Sequence, residues 1–125
     1  MRRRLFIVIP LIGGVVIFLS AFAHAFVGWP MLSVDLNAVN AGPDLVGGVQ
    51  VGWIFGSFAM LAFGAIVITS TLRMLRGAAV SITPVVVIGF TYVVFGLWAL
   101  VSKDYNPHFF VFIVPGLMVL SILKR

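Results

Sequence analysis

The chain has 125 residues, 62% of them hydrophobic and 9% charged, with eight Lys or Arg, three Asp and no cysteine. That composition excludes an ordinary soluble domain, and the lack of cysteine excludes a disulfide, a thiolate metal site and thiol catalysis. A net charge of +5 would suggest nucleic acid in a soluble protein, but here the bases sit at the ends of apolar stretches. There they mark orientation and contact with anionic lipid headgroups, so no nucleic-acid partner is expected.

Four apolar stretches are read as helices, roughly residues 5–27, 48–70, 80–101 and 108–123. A bilayer crossing needs about 20 residues, which the first three reach. Arg2, Arg3 and Arg4 precede the first helix. An apolar run followed by Ala23-His24-Ala25 imitates a signal peptide with its cleavage site, but the run of about 19 residues exceeds a signal's apolar region, so an uncleaved spanning helix is expected. Pro10 lies too deep for a first-turn proline and predicts a kink or the end of a leading turn. Gly28-Trp29-Pro30 predicts the end of this helix, because Pro30 disfavours a helical residue 29.

Residues 28–47 then form a long connection holding Asp35, Asn37, Asn40 and Asp44, in which Met31–Leu36 has the pattern of a short interfacial helix. Its acids lack the ordered spacing and closing glutamate of a calcium loop, so no metal is expected. The second helix carries Gly52-x-x-x-Gly56 and then Gly64, the small-residue pattern by which membrane helices approach closely. Arg73 and Arg76 mark a short connection that makes the second and third helices antiparallel neighbours. Gly89 and Gly96 give the third helix a similar seam, and Gly13 gives one to the first. The fourth helix starts after Asn106-Pro107, is short, and is interrupted by Pro115-Gly116. Lys124 and Arg125 follow it.

Seven of the eight bases fall on one side of this arrangement, while Asp35, Asp44, Asp104 and the remaining base, Lys103, fall on the other. By the positive-inside rule the first side is the cytoplasm. The expectation is therefore a single all-α domain over residues 1–125, a four-helix antiparallel bundle in a bacterial inner membrane. Both termini are cytoplasmic and the 28–47 connection is extracytoplasmic.

Few side chains could carry chemistry, and those that could gather near the extracytoplasmic end. His24 lies about one turn below Gly28, with Ser20 on its face. Gln50 and Trp53 open the second helix, Trp98 ends the third, and His108 opens the fourth. A polar side chain inside a span needs a partner. One reading makes His24 a ligand to haem iron or chlorophyll magnesium, or a hydrogen-bond partner of a quinone, with Gln50, Trp53, Trp98 and His108 around it. The plainer reading makes His24 a tie from the first helix to Ser20, Gln50 or a loop carbonyl, and Trp29, Trp53, Trp98 and Tyr105 an aromatic belt. No catalytic constellation, phosphate loop or hydrolase elbow occurs. No carboxylate lies inside a span, which argues against proton-coupled transport. The expected role is a non-enzymatic accessory or assembly subunit of a larger membrane complex, or a homo-oligomer.

His24-Ala-Phe-Val-Gly28-Trp29-Pro30 together with Val51-Gly-Trp53-Ile-Phe-Gly56 resembles a group of small, uncharacterised bacterial four-helix membrane proteins. In that group a histidine and glycine end the first helix and a tryptophan opens the second. Many of its members carry a second histidine directly after that tryptophan, where this chain has Ile54. The resemblance covers the first half of the chain and implies a membrane fold without implying an activity.

Overall fold

A computed structural model describes the backbone of residues 2–124 and the side chains of residues 4–124. The charges of Arg2, Arg3 and Arg125 lie outside the described side chains. Everything regular among the described residues is helical: α1 (Arg2–Ala23), α2 (Trp29–Ala38), α3 (Pro43–Leu75), α4 (Thr83–Ser102) and α5 (Phe110–Leu120). A five-residue π turn, His24–Gly28, joins α1 to α2 without a break, and 3₁₀ turns flank α5. Among the described residues, four helical runs are long and apolar enough to cross a membrane: Arg4–Ala38, Pro43–Leu75, Thr83–Ser102 and Pro107–Lys124.

The first difference from the sequence reading is the connection after α1. The helix does not stop at Pro30, and only residues 39–42 remain outside helix. In an α-helix a proline at 30 would lose its bond to, and clash with, the carbonyl of residue 26. The π turn is wider, closed by the Trp29 N–H on the His24 carbonyl, and it carries the chain past Pro30. The helix ends instead at Asn40, whose φ of 53° places it in the left-handed region. Asn40 N–H bonds to Asn37 O and Ala41 N–H to Leu36 O, the paired bonds of a Schellman cap. Gly77, with φ 84°, ends α3 in the same way through Gly77 N–H to Met74 O and Ala78 N–H to Arg73 O. Helix α3 starts five residues earlier than expected because Pro43 occupies its first turn and Asp44 meets the positive end of the helix dipole. The helices also run through Pro10 and Pro115, both buried, without interruption.

Helix α1 is the hub. It packs along α3 on one side and α5 on the other, α5 packs on α4, and α3 and α4 touch only lightly. The Gly13-Gly14 pair makes this possible at one level of the helix. A Cβ on Gly14 would lie 2.7 Å from Val67, on α3, and one on Gly13 would lie 3.0 Å from Met118 and 3.1 Å from the Pro115 carbonyl, on α5. Farther along, a Cβ on Gly64 would stand 2.6 Å from the Phe18 Cβ and 2.7 Å from its backbone. The α4–α5 pair closes around Gly89 and Gly116, each facing the other's carbonyl, and around Gly96 against Ile113. Between these seams lies a core of Ile7, Ile17, Val67, Val85, Ile88, Tyr92, Val119 and Ile122.

These contacts fix an antiparallel register and reveal a step. Extending the Gly13–Met118 contact along both helices brings Pro107, at the start of the last run, level with His24. Helix α4 is 20 residues, about 30 Å, whereas α3 is 33 residues, about 50 Å. The molecule is therefore four helices thick toward the basic end. Beyond His24 it continues only as a two-helix hairpin of α2 and the first part of α3. No residue of α2 is buried, and the first buried residue of α3 is Ser57.

Candidate functional site

The step is where the polar groups meet. His24 begins the π turn, and its Nδ1 lies 2.9 Å from Ser57 Oγ on α3. Its ring lies flat on the Trp53 indole, with centroids 4.2 Å apart and planes 7° from parallel. Trp53 Nε1–H donates to the His24 carbonyl at 2.6 Å. That carbonyl also takes the Trp29 N–H that closes the π turn, so both of its lone pairs are used. Ser57 Oγ–H points back to the Trp53 carbonyl at 3.4 Å.

Two glycines make room for this cluster. A Cβ on Gly28 would lie 2.9 Å from the Trp53 ring, so the indole fits between the His24 ring and a bare backbone. Gly56 faces His24 Cε1, at 3.4 Å from its own would-be Cβ. The sequence placed His24 and Gly28 one turn apart at the end of the first helix. Trp53, Gly56 and Ser57, at i, i+3 and i+4, form the matching face of α3.

The other expected site residues stand elsewhere. Gln50 is exposed, one turn farther out on α3. Trp98 is 63% exposed and leans on Phe95 at 5.9 Å, on α4. His108 is exposed, its ring set against Phe109, and its backbone N–H is capped by the Asn106 side chain at 3.0 Å. Tyr105 sits in the turn after α4 with a left-handed backbone. Ser20, expected beside His24, instead bonds to its own helix at Val16 O, 2.7 Å away. Of the packing glycines, Gly13, Gly64, Gly89 and Gly96 meet neighbouring helices and Gly56 meets the His24 ring. Gly52 does not, for a Cβ there would meet nothing within 4 Å.

Comparison with protein-family models, curated proteins and solved structures finds no match.

Ser57 escaped the sequence reading, and so did the π turn. Serine is common in membrane helices, and its link to His24 spans 33 positions. A further polar group that the reading did not single out is the Tyr92 hydroxyl. It is buried midway along α4 between Phe63 and Phe112, with no hydrogen-bond partner among the described residues.

Proposed function

We propose that this chain is a small non-enzymatic integral membrane protein whose role is association, as an accessory or assembly subunit of a larger membrane complex or as a homo-oligomer. It crosses a bacterial inner membrane four times, with both termini in the cytoplasm. One observation carries the reading: the hairpin beyond the step has no core of its own but an extensive apolar surface. Met31, Val34, Val39 and Val51 are 66–74% exposed there, and Phe55 is 73% exposed at its base. Gly48 and Gly52 share a helix face and meet no atom of this chain within 4 Å. The glycines deeper in the body are all occupied by neighbouring helices, so this pair is the small-residue motif left for another chain. Apolar side chains elsewhere on the spanning helices are exposed to a similar degree, so the unoccupied glycine pair is what singles out this face.

Gentle extraction followed by native mass measurement tests the association. The expected species is an oligomer or a complex with a co-purifying membrane protein. A strictly monomeric chain without partners would count against the proposal. Gly52→Leu is expected to shift the population toward the monomer while leaving the monomer folded.

The orientation is tested separately. A reporter active only in the cytoplasm should give signal when fused to either terminus and none when inserted at Ala41. A silent C-terminal fusion would remove the fourth crossing.

A further inference from the structure

We infer that His24 offers its Nε2 as the axial ligand to a metal-centred macrocycle of the haem or chlorophyll class, seated at the step where the four-helix body ends. The argument begins with the direction of the protons. Ser57 Oγ stands 3.4 Å from the Trp53 carbonyl and 2.9 Å from His24 Nδ1, and both contacts are satisfied at once only when its single hydroxyl proton turns to the carbonyl. The 2.9 Å contact between Ser57 Oγ and His24 Nδ1 is then completed by a proton on Nδ1. That tautomer leaves the Nε2 lone pair bare. Nε2 has no partner among the described residues, and His24 is only half-buried.

The ring is also fixed. It is held by Ser57 at one edge and by Trp53 across one face. An imidazole that donates one N–H to a supporting residue while its other nitrogen stands open is the arrangement by which proteins orient a metal ligand. Single π turns inside α-helices also recur at functional sites.

The class of ligand follows from what surrounds Nε2. Among the described residues no group of three His, Cys, Asp or Glu could hold an ion. A bare metal ion would gain one protein ligand here. A macrocycle brings four equatorial nitrogens of its own and asks the protein for an axial one. It also needs a flat apolar approach. Gly52 lies one turn beyond Gly56 on the same face of α3, and no atom lies within 4 Å of the position its Cβ would take. Val27 and Phe55, 57% and 73% exposed on the flanking helices, add apolar surface. The inference relies on bilayer insertion to bring an apolar ligand to this rim. Gly52 and Phe55 also belong to the association surface proposed above, so ligand and partner compete for that face and are tested separately, by spectrum and by native mass.

The test uses the full chain in lipid nanodiscs, titrated in parallel with haemin and with zinc protoporphyrin. The expected result is a sharpened, shifted Soret band that saturates for either probe, distinct from the broad band of porphyrin dissolved in lipid. His24→Ala and His24→Gln should both lose the sharpened band, because neither supplies an imidazole nitrogen. Ser57→Ala should keep it with 10–100-fold weaker affinity, the usual loss when a ligand's support is removed. His108→Ala should titrate as wild type. The inference is overturned if the wild-type chain shows only the broad band, if either His24 variant keeps the sharpened one, or if His108→Ala loses it. Should His24→Ala fail to fold by circular dichroism, His24→Gln, which retains a hydrogen-bonding side chain, carries the comparison.

Discussion

Gly64→Val is expected to unfold or repack the chain, and Gly64→Ala to lower its stability by about 1–3 kcal/mol, the usual cost of forcing extra atoms into a packed contact. The reason is the identity of the neighbour. A Cβ at this position would sit 2.6–2.7 Å from the Phe18 Cα, Cβ and backbone nitrogen. A flexible side-chain tip could turn aside, whereas helix backbone cannot. Relief requires α1 to move away from α3, and α1 is also packed on α5 through Gly13, so the displacement reaches both sides of the hub. Thermal or denaturant unfolding of the detergent-solubilised chain measures the effect. Gly52→Ala is the matched comparison. It has the same residue type on the same helix with nothing within 4 Å, and its change should stay within about 0.5 kcal/mol of neutral or be stabilising, since alanine is the better helix former. If Gly64→Val unfolds with the wild-type midpoint, the α1–α3 contact is not the one described.

Trp53→Ala is expected to be the most damaging change within the polar cluster, at about 2 kcal/mol. Truncating a fully buried Trp costs roughly 3–5 kcal/mol, and this side chain is only half-buried. The substitution removes the ring on which His24 is stacked and the donor that meets the His24 carbonyl. Trp53→Phe separates the two contributions. It keeps an aromatic face for the imidazole and loses only the Nε1–H donor, at about 1 kcal/mol. The same logic distinguishes His24→Gln from His24→Leu. Glutamine can still donate to Ser57 Oγ, whereas leucine leaves that oxygen without its donor while the hydroxyl keeps the Trp53 carbonyl, at a cost of about 1 kcal/mol. Unfolding midpoints of the four variants, measured together, should place Gln above Leu and Phe above Ala. Wild-type stability in all four would mean that the cluster does not tie α1 to α3.

How far the sequence alone could go differs from feature to feature. The four apolar runs were legible because a helix that is apolar all round is recognisable from composition over about 20 residues. The end of α3 reads too early in the sequence: the apolar run stops near residue 70, whereas the helix continues through Arg73 to Leu75 before the left-handed turn at Gly77. The end of α2 was not legible. Pro30 gave a stronger local stop than Asn40, and only the π turn, a feature of backbone hydrogen bonding with no composition of its own, carries the helix past the proline. His24 was identifiable as an isolated polar group that needs a partner. The partner was not, since Ser20, Gln50 and Ser57 all satisfied the same chemistry.

What the sequence by itself determined is thus the number of long apolar helices, the segregation of basic residues to one end, and the positions where small residues allow close approach. What only the tertiary structure decided is which of those positions are used. Gly52, Gly56 and Gly64 repeat the same residue on nearby turns of α3, yet the first faces open space, the second an imidazole and the third the backbone of α1. Composition cannot separate them. A helix that is apolar on every side carries little amphipathic signal to mark its inner face. Its rotation and register are set by which surfaces interdigitate, and that same register brings Trp53 and Ser57 to His24 and leaves Gln50, Trp98 and His108 apart.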